Sequence, residues 1–342
     1  KGEREAWIEF VKAVRQHDGV IARSILAASF SWGLGELCRA LPFFVHLWGG
    51  TEAGKTVGLM LAASVWADPS MGAYIHTCNS TQVGQEVSAT FVNSLPLILD
   101  ELQIMGDRRD FDRMIYALSE GVGKTRGSKT GGLQRVGSWK NCILPTGEQP
   151  ITNASSMSGA VNRIIEMDCK SEKLFRDPVR VVEVLKKNHG HAGRQFVERL
   201  GDAANRAYAV SVQKAIYREL ATGGSTEKQA MAASVIMAAD RLINEWIFRD
   251  GILLSVSDIT PYLATRAQVS AHERALEFIT DCVAIHAKRF IAGEYPGEIW
   301  GCVDQKGGER RIYFIKSMFD QVMKEEGFNP AAFLSWAKQK DM

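Results

Sequence analysis

Apolar positions along the chain change their period several times, and each change predicts an element. Over residues 3–17 and 20–41 they recur every three to four positions, the spacing of helices, and Pro42 breaks the second run. The short apolar run Phe43–Trp48 has the length of a strand. A glycine-rich turn follows, and a helical pattern then reaches to about Ala67. Residues 80–93, opening on Ser80 and Thr81, predict a capped helix, and "PLILDE" (96–101) reads as a buried strand. A helix over 109–119 leads into "EGVGKTRGSKTGG", which must be a loop. "LQRVGSWKN" (133–141) alternates around a glycine and predicts a hairpin. "CILP" and "RIIEMD" are further strand candidates.

From about Phe175 the pattern is mostly helical, including a long run over 226–248 that starts with the capping residues Ser225, Thr226 and Glu227. The last part changes character. "GEIWGCVDQKGGERRIYFI" predicts a two-stranded ribbon with a Gly-Gly turn, and "KSMFDQVMKEEGFNPAAFLSWAKQK" predicts two amphipathic helices. Strands mixed with helices in a small terminal unit suggest a winged-helix type of module. Strands alternating with helices before it make the fold class α/β.

The segment Gly49-Gly50-Thr51-Glu52-Ala53-Gly54-Lys55-Thr56 sits between the first strand and its helix. It fits the phosphate-loop pattern of glycine, four residues, then Gly-Lys-Ser/Thr. Glycines let backbone N–H groups converge on phosphate oxygens, and the following helix presents its N-terminus to them. Lys55 is expected to reach the β and γ phosphates of ATP, and Thr56 to bind Mg²⁺. A bland glycine turn would match the spacing but not the strand and helix on either side. Asp100 ends the apolar strand "LILD" and is expected to hold Mg²⁺ with Thr56. Glu101 beside it would orient the attacking water. Two adjacent carboxylates favour ATP hydrolysis over phosphoryl transfer to a small molecule.

With 342 residues, 46% of them hydrophobic and a net charge of +2, the chain has room for two or three domains and carries no polybasic character overall. Nucleic-acid contact must therefore come from a local patch. Such a patch lies over 124–140, where Lys124, Arg126, Lys129, Arg135 and Lys140 occur without an acidic residue. These cations can track phosphates, whereas Trp139 either stacks on a base or anchors the hairpin. Lys124 and Arg126 could equally serve the nucleotide or a subunit contact. Lys306, Arg310 and Arg311 on the C-terminal ribbon form a second, smaller patch. The six scattered cysteines show no metal or disulfide spacing, which fits a reducing cytoplasm. His189 and His191 lack a third ligand nearby, and Met157, Met231 and Met237 read as packing. No run is long enough for a membrane span of about 20 residues. The chain opens on Lys1 rather than Met, which leaves room for a preceding domain.

The ordered set "HLWGGTEAGKTVGLMLAASVWADP", "HTCNST", "LILDEL", "YALSEGVGKTRG", "LPTGEQPI" and "GAVNRIIEMD" resembles a helicase-like domain-of-unknown-function family of phage, plasmid and other mobile-element proteins. The chain's last segment is similar to the family's C-terminal part, so the resemblance covers nearly the whole chain. Its members look like AAA+ ATPases related to the minichromosome-maintenance helicases. The resemblance implies an AAA+-like P-loop core with a helical lid and a small winged-helix-like domain. The expected boundaries are 1–42 for a helical lead-in, 43–225 for the core, 226–289 for the lid and 290–342 for the winged-helix-like domain. It also implies a homo-oligomeric, hexameric ring that hydrolyses ATP between subunits and moves on single-stranded DNA. By the same resemblance Thr146 is a sensor of the γ-phosphate and Arg163 a finger reaching the neighbour's ATP. Asn79 matches a family position of no assigned role. Lys228 replaces the arginine expected of a second sensor, with Arg194 and Arg241 as rivals. The competing expectation is a regulatory switch ATPase acting on a protein partner.

Overall fold

The computed structural model describes residues 1–102, 108–127, 132–152, 156–170, 173–291, 297–306 and 309–342. Residues 1–151 and 162–265 form one compact unit, and 152–161 with 266–342 form another. The chain begins with α1 (Arg4–His17), α2 (Gly19–Phe30) and α3 (Trp32–Leu37). It continues through β1 (Phe43–Trp48), α4 (Lys55–Ser64), β2 (His76–Thr77), α5 (Gln82–Val92), β3 (Leu97–Asp100) and α6 (Arg108–Ser119). After β4 (Cys142–Gly147) come α7 (Ser158–Val161) and β5 (Ile164–Asp168). The first unit ends with α8 (Pro178–Lys187), α9 (Ala192–Leu200), α10 (Ala203–Thr222), α11 (Glu227–Ile243) and α12 (Val256–Ile259).

The five strands of the first unit make a parallel sheet in the order β2-β3-β4-β1-β5. A parallel sheet is covered on both faces, so its inner strands need apolar residues at every position rather than at alternate ones. That is why "FFVHLW" and "LILD" are apolar apart from His46 and Asp100, and they are buried almost throughout. β2 is different. Its segment "IHTC" carries no apolar run, and only the pairing of His76 with Leu99 and Thr77 with Asp100 makes it a strand. The 20–41 run divides at Ser31 into α2 and α3 rather than forming one helix, and the long run over 226–248 ends in a π-helical turn, Asn244–Phe248.

Helices α2 and α11 are apolar on nearly every side and are buried accordingly. The N-terminal helices are part of the same core as the sheet: Trp7, Val11, Ile25 and Phe30 belong to one cluster with Val45 and Ile165. Trp7 stacks on Phe248 at 5.9 Å, and its indole N–H donates to Ser64 Oγ at 3.0 Å. Arg15 on α1 is fully buried and bonds Asp240 and Asp250 at 2.7 Å each. An ion pair sealed from water is costly to break from one side, which makes α1 a fixed part of the unit. Met237 is buried, Met231 packs against this core, and Met157, in the second unit, is nearly half exposed.

The second unit holds α7, α13 (Arg266–Val269), α14 (Ala271–Ile285), β6 (Gly301–Lys306), β7 (Glu309–Phe314), α15 (Lys316–Glu325) and α16 (Pro330–Gln339). β6 and β7 form the expected antiparallel ribbon. A Cβ at Gly301 would lie 1.9 Å from Tyr313 O, so only glycine permits the ribbon to close there. Phe319, Met323, Phe328 and Phe333 fill the space between α14, α15 and α16. Arg274 ties the 152–161 segment to α14 by donating to Ser156 O at 2.5 Å. The helices α11 and α14, which the expected lid would have combined, lie in different units.

Candidate nucleotide site and cationic arm

The glycine loop leaves the carboxyl end of β1, where ligands of open α/β sheets bind. Gly54 sits at φ +88° as the residue just before α4, and Gly49 sits at φ +143°. Both angles are strained for any residue with a Cβ. A Cβ on Gly49 would also press within 3.3 Å of Cys169 and Lys170 O. Lys55 is the first residue of α4, and its ammonium donates to Gly49 O at 2.8 Å and Gly50 O at 2.7 Å. The loop therefore curls around its own lysine. Thr51, Glu52 and Ala53 form the crest between them, with Glu52 in the left-handed region at φ +69°.

Asp100 is buried at the end of β3, and its two oxygens are divided between two hydroxyls. Thr56 Oγ1 donates to Oδ2 at 3.1 Å, and Thr146 Oγ1 donates to Oδ1. The same Thr146 oxygen accepts the Glu101 N–H at 3.1 Å. This is a consequence of sheet order. β4 lies between the loop strand β1 and the acid strand β3, so its last residues fall midway between loop and acid. Glu101 leaves the strand at φ +61°, strained for a residue with a side chain, and is exposed. Asn79 is exposed just past β2, next to Cys78, whose N–H donates to Asp100 O at 3.1 Å. Beneath the loop, His46 on β1 is buried 3.4 Å from Glu166. Burial holds its pKa below the ordinary value, against the pull of Glu166 and with help from Lys55.

Arg163 stands at the opposite, amino-terminal end of the sheet, directly before β5. Its guanidinium lies 4.7 Å from the Tyr116 ring. It lines a cavity of about 240 Å³ together with Arg39, Tyr217, Glu227, Lys228 and Met231. Gln229 donates to Ile164 O at 2.7 Å and Thr226 bonds Asn162, which stitches the start of α11 to the start of β5. That stitch brings Lys228 to the cavity. Partial burial and the charge of Arg163 both lower the Lys228 pKa. Arg194 and Arg241 instead bond Glu198 and Glu245 on the surfaces of their own helices. Arg39, in the left-handed region at φ +56°, is a third cation here that the sequence pattern did not single out.

The cationic segment is an arm, not the local hairpin expected over 133–141. Residues 122–127 pair with 133–138, bridged at Val122–Ser138 and Gly127–Leu133, so "LQRVGSWKN" supplies only the returning leg. Its glycine marks a close packing instead of a turn: a Cβ on Gly137 would collide with Thr90 of α5 at 2.2 Å. Trp139 is buried and donates to Leu118 O at 2.7 Å, so it anchors the foot of the arm and offers no face to a base. Lys124 and Arg135 are exposed. Arg126 bonds the buried Glu86 at 2.8 Å, and Lys140 bonds Glu36 at 2.8 Å below the arm. Lys129 lies outside the described residues, as do the side chains of Lys306 and Arg310, whereas Arg311 is exposed. His189 packs in the core, its Nδ1 within 3.2 Å of Leu185 O, and no group of three metal ligands occurs among the described residues.

Two family profiles match the chain: a domain of unknown function (DUF927) over residues 1–138, and the Cch helix turn helix domain over residues 270–342. No curated protein matches it. A solved structure named "SCCmec type IV Cch - active helicase" superposes with a TM-score of 0.76 at 17% identity. The fold is shared. The match covers 96% of this chain and 64% of the other, so the chain spans about two thirds of that protein's length. The chain is thus a mixed α/β protein built on a parallel sheet, with a helix-turn-helix match at its C-terminal part. No helix among the described residues is long and apolar enough to cross a membrane.

Proposed function

We propose that the chain is the motor part of a DNA-translocating, AAA+-type ATPase of a mobile element, working in the cytoplasm as a homo-oligomeric, hexameric ring that moves on single-stranded DNA. The observation that carries this reading is the bonded set Thr56–Asp100–Thr146–Glu101 at the mouth of the glycine loop. The loop N–H groups and Lys55 would hold the phosphates of ATP. Thr56 and Asp100, already aligned on each other, would hold Mg²⁺, which supplies charge neutralisation on the phosphates. Glu101, turned out of the sheet, orients the attacking water and takes up its proton. Thr146 ties the Asp100 carboxylate to the Glu101 backbone N–H, which is how it would sense the γ-phosphate.

Arg163 and Lys228 stand too far from this loop to serve it in the same subunit. The six residues of β1, at about 3.3 Å each, put roughly 17 Å between the two ends. In a ring they would face a neighbour's nucleotide, where an arginine stabilises the charge that develops on the transferred phosphoryl group. Lys124, Arg126 and Arg135 on the arm would track the DNA backbone, with Lys140 at its foot, and Lys129 would join them. The helix-turn-helix match and the fold shared with a helicase support DNA as the partner.

The test is ATP hydrolysis and forked-duplex unwinding by wild type and Lys55→Ala. Single-stranded DNA should stimulate hydrolysis, and only wild type should unwind. Hydrolysis indifferent to every DNA tried, without unwinding, would turn the reading toward a switch ATPase that acts on a protein partner.

A further inference from the structure

Helix α5 is inside out. Its inward residues are Gln85, Glu86 and Ala89, with Glu86 only 4% exposed. Its outward stripe is Val83, Val87 and Phe91, at 49%, 63% and 87% exposure. Residues four apart share one face of a helix, so these three form a continuous apolar strip in solvent. A helix at the edge of a sheet ordinarily turns that face to the core. Here the arm takes the core-facing side instead. Arg126 and the Lys124 N–H both bond Glu86, at 2.8 and 3.3 Å, and Gly137 lies against Thr90. The helix and the arm enclose a groove of about 600 Å³, with Phe91 and Val87 on one wall and Lys124, Arg126 and Arg135 on the other.

We propose that this groove is a single-strand site in which the α5 stripe, with Phe91 foremost, receives bases while the arm receives phosphates. The inference deepens the DNA-motor reading and rests on it. Charge complementarity selects the occupant. One wall carries cations, the other is apolar, and the groove's single carboxylate, Glu86, is buried and already paired with Arg126. A nucleic-acid strand with its bases unpaired presents that combination, a charged backbone on one side and flat apolar faces on the other. Duplex DNA keeps its base faces stacked away from such a wall.

The test is binding of a fluorescently labelled oligothymidylate by the full chain with a non-hydrolysable ATP analogue, followed by anisotropy across a salt series. Phe91→Ala should weaken binding about tenfold or more, leave the slope against salt unchanged, and be rescued by Phe91→Trp. Lys124→Gln should instead lower that slope by roughly 0.7, the share of one phosphate contact on a single strand. An abasic strand of the same length should bind wild type and Phe91→Ala alike. Equal binding of oligothymidylate by wild type and Phe91→Ala would overturn the proposal. So would a change in oligomeric mass of Phe91→Ala without DNA, because the stripe would then be covered by a second copy of the chain. If wild type bound no single strand at all, the DNA-motor reading itself would fail, and this one with it.

Discussion

The two ends of the parallel sheet are built on opposite principles. At the carboxyl end five residues are bonded to one another or to the loop within the chain: Lys55 on the loop carbonyls, Thr56 and Thr146 on Asp100, and the Glu101 N–H on Thr146. At the amino end three cations, Arg39, Arg163 and Lys228, line one cavity with a single carboxylate, Glu227. The first end is held together by bonds within the chain. The second concentrates positive charge at the far end of the sheet from the glycine loop. On the proposed reading they are the two halves of one catalytic centre, separated by the length of a strand and rejoined only between subunits.

The largest effect should come from the amino end. Arg163→Ala is expected to reduce hydrolysis by roughly 10³–10⁵-fold while nucleotide affinity stays near wild type. Mixing it with Lys55→Ala should restore part of the activity, because each variant supplies the half the other lacks. Loss of nucleotide binding by Arg163→Ala, or a mixture that stays inactive, breaks the division between the ends. Steady-state phosphate release and nucleotide titration measure both.

At the carboxyl end, Glu101→Gln should lower the rate about 10²–10³-fold with nucleotide still bound. Equal losses of rate and affinity there would mean that Glu101 holds the loop together and does not act on water. Thr146→Val keeps the shape but removes the hydroxyl, leaving Asp100 Oδ1 and the Glu101 N–H without that partner. It should cost about 1–3 kcal/mol of stability and reduce kcat more than it raises KM, and Thr146→Ser should recover both. Chemical denaturation and Michaelis kinetics separate the two outcomes.

The smallest effect lies between the ends. His46 is buried with a lowered pKa, so the unfolded chain binds the proton more readily than the folded one. Stability should therefore be full above the unfolded value of about 6.5 and fall as pH drops below it. His46→Gln should flatten that slope in urea titrations at neutral and acidic pH, without altering nucleotide binding at neutral pH. A slope left unchanged would assign the acid sensitivity elsewhere.

The candidate site was legible where chemistry is local. A phosphate loop needs its glycines, lysine and threonine within eight consecutive residues, and a strand that ends in two acids announces itself through an unbroken apolar run. The arm was legible in its charge but not in its shape. Alternation around Gly137 looked like a hairpin, whereas the glycine is there to let the strand lie on Thr90. Trp139 could be assigned only when its burial and its bond to Leu118 O were known. β2 had no signal in the sequence, because two residues held by an edge pairing leave no period to detect.

By itself the sequence determined the α/β class, the glycine loop and the acidic pair, since each depends on residues adjacent in the chain. Only the tertiary structure decided which distant groups meet. It set Thr146 between Thr56 and Glu101 by placing β4 inside the sheet, and by stitching α11 to β5 it brought Lys228 into one cavity with Arg163 while Arg194 and Arg241 bond elsewhere. It also turned the apolar face of α5 outward by giving the inward face to a charged arm. Those outcomes depend on strand order and on competition for buried space, which no local pattern encodes.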